Sequence, residues 1–109
     1  DPKVFLRHIL ESIAQIEQYI GGIGQEEFLK SAQVQDAVVR RLTIIGEATK
    51  NLPSELREKY TAIPWGDIAG MRDVLIHEYF GLDTELVWRT AKNDLPIFKR
   101  HLQNILLEL

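Results

Sequence analysis

The apolar residues of this chain recur at helical spacing almost from end to end. Phe5, Ile9, Ile13, Ile16 and Ile20 follow one another at steps of four, four, three and four, which lays one apolar stripe along a helix. Asp1 and Pro2 suit its start, as N-cap and first-turn residue, and Gly21-Gly22-Ile23-Gly24 stops it. Gln25 to Lys30 has room for one short turn. Val34, Val38, Leu42, Ile45, Ala48 and Leu52 form a second stripe, predicting a helix from about Ser31, a fitting N-cap, to Asn51. Gly46 lies inside it at a cost of about 1 kcal/mol relative to alanine, which points to the close approach of another helix. Pro53 ends that helix, and Ser54 to Tyr60 reads as a short surface helix. A third long helix is expected from near Pro64 to Gly81. The last starts after Asp83, a good N-cap, and keeps Val87, Ala91, Leu95, Phe98, Leu102, Ile105 and Leu109 in one phase. Pro96 should kink it by removing a hydrogen bond and crowding Lys92. Nothing reads as a strand. The expected class is all-α: an antiparallel four-helix bundle with one or two short extra helices and a last helix kinked near Pro96.

The 109 residues make one domain, 1–109, long enough for a single core. No stretch approaches the ~18 apolar residues of a membrane span. The chain starts at Asp1 without a methionine, which leaves room for a preceding segment, a leader included. It holds no cysteine, so disulfides and thiolate metal sites are excluded, and the composition fits a reducing, cytoplasmic setting. The net charge of −3 gives no overall basic footprint for nucleic acid. The two basic clusters, Arg40-Arg41 and Lys99-Arg100-His101, are short and read as solvated helix faces.

One segment departs from plain helix chemistry. In Gly70-Met71-Arg72-Asp73-Val74-Leu75-Ile76-His77-Glu78-Tyr79-Phe80 an arginine is followed after four residues by a histidine and, one residue later, by a tyrosine. The guanidinium is charged at any working pH and matches phosphate oxygens; the imidazole can move protons near neutrality. Together they are the minimum kit for breaking a phosphodiester without a metal. On an ideal helix Arg72 and His77 would differ by about 140° in direction and about 7.5 Å in height, whereas Asp73 and His77 would share a face, as would Arg72 and Tyr79. Convergence of Arg72 and His77 therefore needs the helix to unwind near His77, or a second copy to complete the site across a two-fold axis. Structural roles compete with this reading. Arg72 could pair with Asp73, Asp67 or Glu47, His77 could meet a helix C-terminus, and Tyr79 could be a core aromatic with its hydroxyl at the rim. Glu78, His8 and His101 read as solvated. No His/Asp/Glu cluster has metal-ligand spacing, and no glycine-rich phosphate loop is present.

The run Arg72 to Gly81, followed by Asp83, Trp88 and Asp94-Leu95-Pro96, resembles the HepT-like branch of the HEPN superfamily. Arg40-Arg41-Leu42, Ile45-Gly46-Glu47-Ala48 and Pro64-Trp65 extend the resemblance over essentially the whole chain. It implies a HEPN-like helical bundle that forms a homodimer with a composite active site. The implied activity is that of a ribonuclease toxin in a type VII toxin–antitoxin system, working on RNA without metal or other cofactor. The implied partner is a MntA-like nucleotidyltransferase antitoxin. The resemblance assigns Arg72 and His77 as the catalytic pair, Asp73 as a supporting residue and Tyr79 as acceptor of AMP from the antitoxin. The alternative is a non-catalytic helical module that partners a nucleotidyltransferase and binds nucleotide or phosphate through the same arginine. A structural dimer without a ligand is the third reading.

Overall fold

The computed structural model describes residues 1–77 and 81–109, with His77 described by its backbone alone. Its helices are α1 (Pro2–Ile20), α2 (Gln25–Lys30), α3 (Ala32–Lys50), α4 (Ser54–Lys59), α5 (Trp65–Ala69), α6 (Met71–Leu75), α7 (Thr84–Arg89) and α8 (Leu95–Glu108). The all-α class holds. The caps are those the sequence offers. The Asp1 carboxylate accepts from the Lys3 amide, the Ser31 hydroxyl from Val34 and the Asp83 carboxylate from Leu86, each satisfying an amide that the first helical turn leaves unpaired.

α1 and α3 form the most extensive helix pair. Leu6, Ile9, Ile13 and Ile16 of α1 are buried with Val38, Leu42 and Ile45 of α3 and Phe98, Leu102 and Ile105 of α8. Glu17 near the end of α1 meets Lys99 near the start of α8 at 3.1 Å. Leu109, placed at the end of the last stripe by the sequence pattern, is exposed. The Tyr60 hydroxyl donates to the Glu108 carboxylate, tying the last turn of α8 to the residue after α4. That bond, with a smaller desolvation effect, raises the Tyr60 pKa above its ordinary value.

Two expectations need correction. The third long helix is two short ones with Gly70 between them, and it ends at Leu75 rather than near Gly81. A strand pairing also exists: β1 (Ile76–His77) runs antiparallel to β2 (Gly81–Leu82), with Ile76 opposite Leu82 and His77 opposite Gly81. Ile76 is extended, at φ −112° and ψ 117°. Gly81 has φ +76°, a left-handed conformation that a Cβ penalises. The irregularity expected at Pro96 takes the form of a π-helical turn, Thr90–Asp94, immediately before it. The Leu95 amide donates to the Thr90 carbonyl, and the widened turn accommodates the ring that would crowd Lys92. Two successive steps of four, Val87 to Ala91 to Leu95, match that widening.

Gly46 is buried where α5 crosses α3. A Cβ there would lie 3.2 Å from the Ile68 carbonyl oxygen and 3.3 Å from that of Ala69. Alanine would gain about 1 kcal/mol in helix propensity, but overpacking against backbone costs about 1–3 kcal/mol. Gly46→Ala is therefore expected to destabilise the fold by about 1 kcal/mol in urea denaturation. A stabilised variant would show that α5 yields easily.

Candidate functional site

Met71 and Leu75, four residues apart, are both buried and anchor α6 on the core. Arg72, Asp73 and Val74 between them are exposed, as the 3.6-residue period requires. Upstream, α5 is held by Trp65, whose ring meets Phe98 edge-on at 6.0 Å and whose indole N–H donates to the Tyr60 carbonyl at 3.0 Å. α6 ends when the Ile76 amide closes onto the Arg72 carbonyl. The Leu75 carbonyl accepts from the Asp83 backbone amide at 2.8 Å, so the returning chain satisfies an acceptor exposed at the helix end. The Asp83 carboxylate then caps α7.

The helix thus stops between Arg72 and His77. The 140° separation of a continuous helix does not apply, because α6 ends before His77. The same finding removes the helical relations drawn between Asp73 and His77 and between Arg72 and Tyr79. It also removes the geometric ground for requiring a second copy. Tyr79 and Glu78, with the roles read for them, lie outside the described residues, as does the His77 side chain. Among the described residues neither Arg72 nor Asp73 has an ion-pair or side-chain hydrogen-bond partner. Glu47, one of the carboxylates the sequence offered to Arg72, is taken by Lys50 at 3.1 Å. No three His, Asp or Glu among the described residues are grouped to hold a metal.

Beside α6 lies a groove of about 570 Å³ that the sequence did not announce. α5 and α6 form one wall, with Met71, Val74 and Leu75. Asp94, Ile97, Phe98 and His101 line it from the π-helical turn and α8. Val74 is 58% and Ile97 50% exposed. Ile97 fell outside the core stripe of the last helix, and an off-stripe aliphatic was the signal available.

A family model for ribonuclease HepT-like proteins matches residues 9–105. The chain belongs to the ribonuclease HepT-like family. Relatives agree. A protein of Methanocaldococcus jannaschii, named as a gamma-glutamylcyclotransferase and "putative RNase", is 51% identical over the whole chain, which spans only 49% of that relative. A Caldanaerobacter subterraneus protein with the same RNase name is 45% identical over 96% of the chain and 94% of its own length. The "probable ribonuclease HepT" of Thermococcus cleftensis is 45% identical over 89% of the chain and 88% of its own length. No solved structure matches the chain significantly. For a HepT-like chain the end of α6 is the feature to test. Gly81→Ala, forced to φ +76°, is expected to lower stability by about 1–2 kcal/mol, read as a reduced urea midpoint. An unchanged midpoint would mean that this turn does not need glycine.

Proposed function

We propose that the chain is a metal-independent endoribonuclease, the toxin of a type VII toxin–antitoxin pair, with Arg72 and His77 as its catalytic residues. The observation that carries this reading is the end of α6 at Leu75, which frees His77 from the helical face opposed to Arg72, in a chain of the HepT-like family. The apo geometry of Arg72 supports it as well, since the guanidinium is exposed and unpaired among the described residues.

The chemistry uses the RNA's own 2′-hydroxyl, which DNA lacks. The 2′-oxygen attacks the adjacent phosphorus while a base takes its proton. The bond from phosphorus to the 5′-oxygen breaks, and that oxygen receives a proton. The products are a 2′,3′-cyclic phosphate and a free 5′-hydroxyl. His77 serves as general base or acid, a role worth about 10²–10⁴-fold. Arg72 stabilises charge growing on the non-bridging oxygens. A homodimer supplies two histidines, one for each proton transfer. Asp73 supports the site from its place beside Arg72. AMP placed on Tyr79 by a MntA-like nucleotidyltransferase adds bulk and negative charge close in sequence to both catalytic residues, and so excludes RNA.

Cleavage of RNA by the purified protein is expected to persist in EDTA. Loss on chelation, with rescue by a divalent ion, would remove the metal-free mechanism. Arg72→Ala and His77→Ala should each lower cleavage by about 10²–10⁴-fold and abolish toxicity in a host without the partner. Equal growth with wild type and both variants would instead favour the non-catalytic module that grips a phosphate. With the nucleotidyltransferase and ATP, mass spectrometry should find AMP-sized additions on the peptide containing Tyr79; an unmodified peptide would discard that regulation.

A further inference from the structure

The short ladder after α6 fixes register as well as ending the helix. Ile76 and Leu82 are directly opposed and both pack against the core. Successive residues of a strand belong to opposite faces, so the next register positions, His77 and Gly81, belong to the outward face. The same alternation brings Asp83, one residue beyond Leu82, back to that face. The bond from the Asp83 amide to the Leu75 carbonyl, at 2.8 Å, continues the ladder by one rung and holds Asp83 in place. His77 is paired with Gly81, which has no side chain. Across the ladder from His77, the nearest residue of the same face that bears a side chain is therefore the diagonal one, Asp83. Diagonal neighbours lie about 7–8 Å apart, a gap that longer side chains bridge.

We propose that Asp83, rather than Asp73, is the positioning residue for His77. Its carboxylate accepts the N–H of one ring nitrogen and leaves the other nitrogen to exchange protons with RNA. The role rests on the nuclease reading above, but the pairing itself is tested without it. Asp73 shares a face with His77 only on a continuous helix, and α6 ends at Leu75. Capping α7 does not exhaust Asp83: the Leu86 amide is received by Oδ1, and an ionised carboxylate offers about four acceptor sites. The carboxylate fixes the tautomer and orientation of the ring. It also stabilises the imidazolium formed when His77 takes the 2′-hydroxyl proton, and it receives no proton itself. The other charged groups on the elements around β1 are Arg72 and Asp73 on α6 and Glu85 and Arg89 on α7, all exposed; β2 carries none. Arg72 opposes a proton on His77, and a carboxylate paired with the ring offsets that effect.

Asp83→Asn separates the charge from the cap, because asparagine caps a helix about as well as aspartate and the backbone bond to Leu75 is untouched. Its urea midpoint should stay close to that of the wild type. The chain has three histidines, and the imidazole signal missing from His77→Ala identifies His77 in an NMR titration. The His77 midpoint should fall by about 1 pH unit in Asp83→Asn. Asp83→Ser, a second good cap without a carboxylate, should give the same fall and serves if Asp83→Asn folds poorly by circular dichroism. Glu85→Gln removes an equal charge two residues away and should leave the midpoint in place. In RNA cleavage Asp83→Asn should lower kcat by about 10-fold or more with KM little changed, and the limb of the pH profile set by His77 should move to lower pH. An unmoved His77 midpoint in both Asp83 variants, an equal fall in Glu85→Gln, or a larger fall in Asp73→Asn would overturn the proposal. A midpoint that falls as expected in a protein that never cuts RNA rejects only the nuclease reading. A nuclease whose His77 titrates alike in wild type and Asp83→Asn rejects only the pairing.

Discussion

Asp83 stands where two helices depend on one residue. Its backbone amide takes the Leu75 carbonyl at 2.8 Å, and its carboxylate receives the Leu86 amide at the start of α7. The first bond satisfies an acceptor left open at the end of α6; the second satisfies a donor left open at the beginning of α7. Between them the chain makes the Ile76–His77 and Gly81–Leu82 ladder. The position of His77 outside α6 and the entry of the chain into α7 follow from that closure. A helix continued to Gly81 would have removed both.

The parts of the fold legible in the sequence are those set by local chemistry. Stripes at 3.6-residue spacing placed α1, α3 and α8, and Asp1, Ser31 and Asp83 cap where short polar side chains cap. Gly46 signalled close approach, and the carbonyls of Ile68 and Ala69 are what approach it. The failure came between Met71 and Leu82. Val74, Leu75 and Ile76 carry the apolar content of a helix, yet the segment is decided by a bond from a residue eight positions after Leu75. No window of periodicity contains that bond. Gly81 at φ +76° was the one local hint, and it reads equally well as a helix stop.

The candidate site was legible as residue types and not as geometry. Arg72 and His77 could be chosen from the sequence because their chemistry suits a phosphodiester, and Asp73 by resemblance to the HepT-like family. Their arrangement depends on where the helix ends. The groove was illegible for a different reason. It is made by two segments about twenty residues apart, and its apolar lining differs from core only in what fails to cover it.

The net charge of −3 does not weigh heavily against an anionic substrate. Exposed charges farther apart than about 8–10 Å are largely screened at physiological salt, so the local field at a guanidinium outweighs the sum over the chain. What would disable Arg72 is a neighbouring carboxylate engaged with it, because a phosphate would have to displace that partner. Glu47 is turned to Lys50, Glu17 to Lys99 and Glu26 to Lys30, pairings that engage acidic side chains elsewhere. Asp73 lies next in sequence but makes no ion pair with Arg72 within 4 Å. Among the described residues no carboxylate is engaged with Arg72, and an acidic chain can in this way keep an exposed cation. The same reasoning separates the two faces of the segment after Gly70: Arg72 is exposed on one, and the apolar groove on the other carries Asp67 and Asp94, whose charge disfavours an anion.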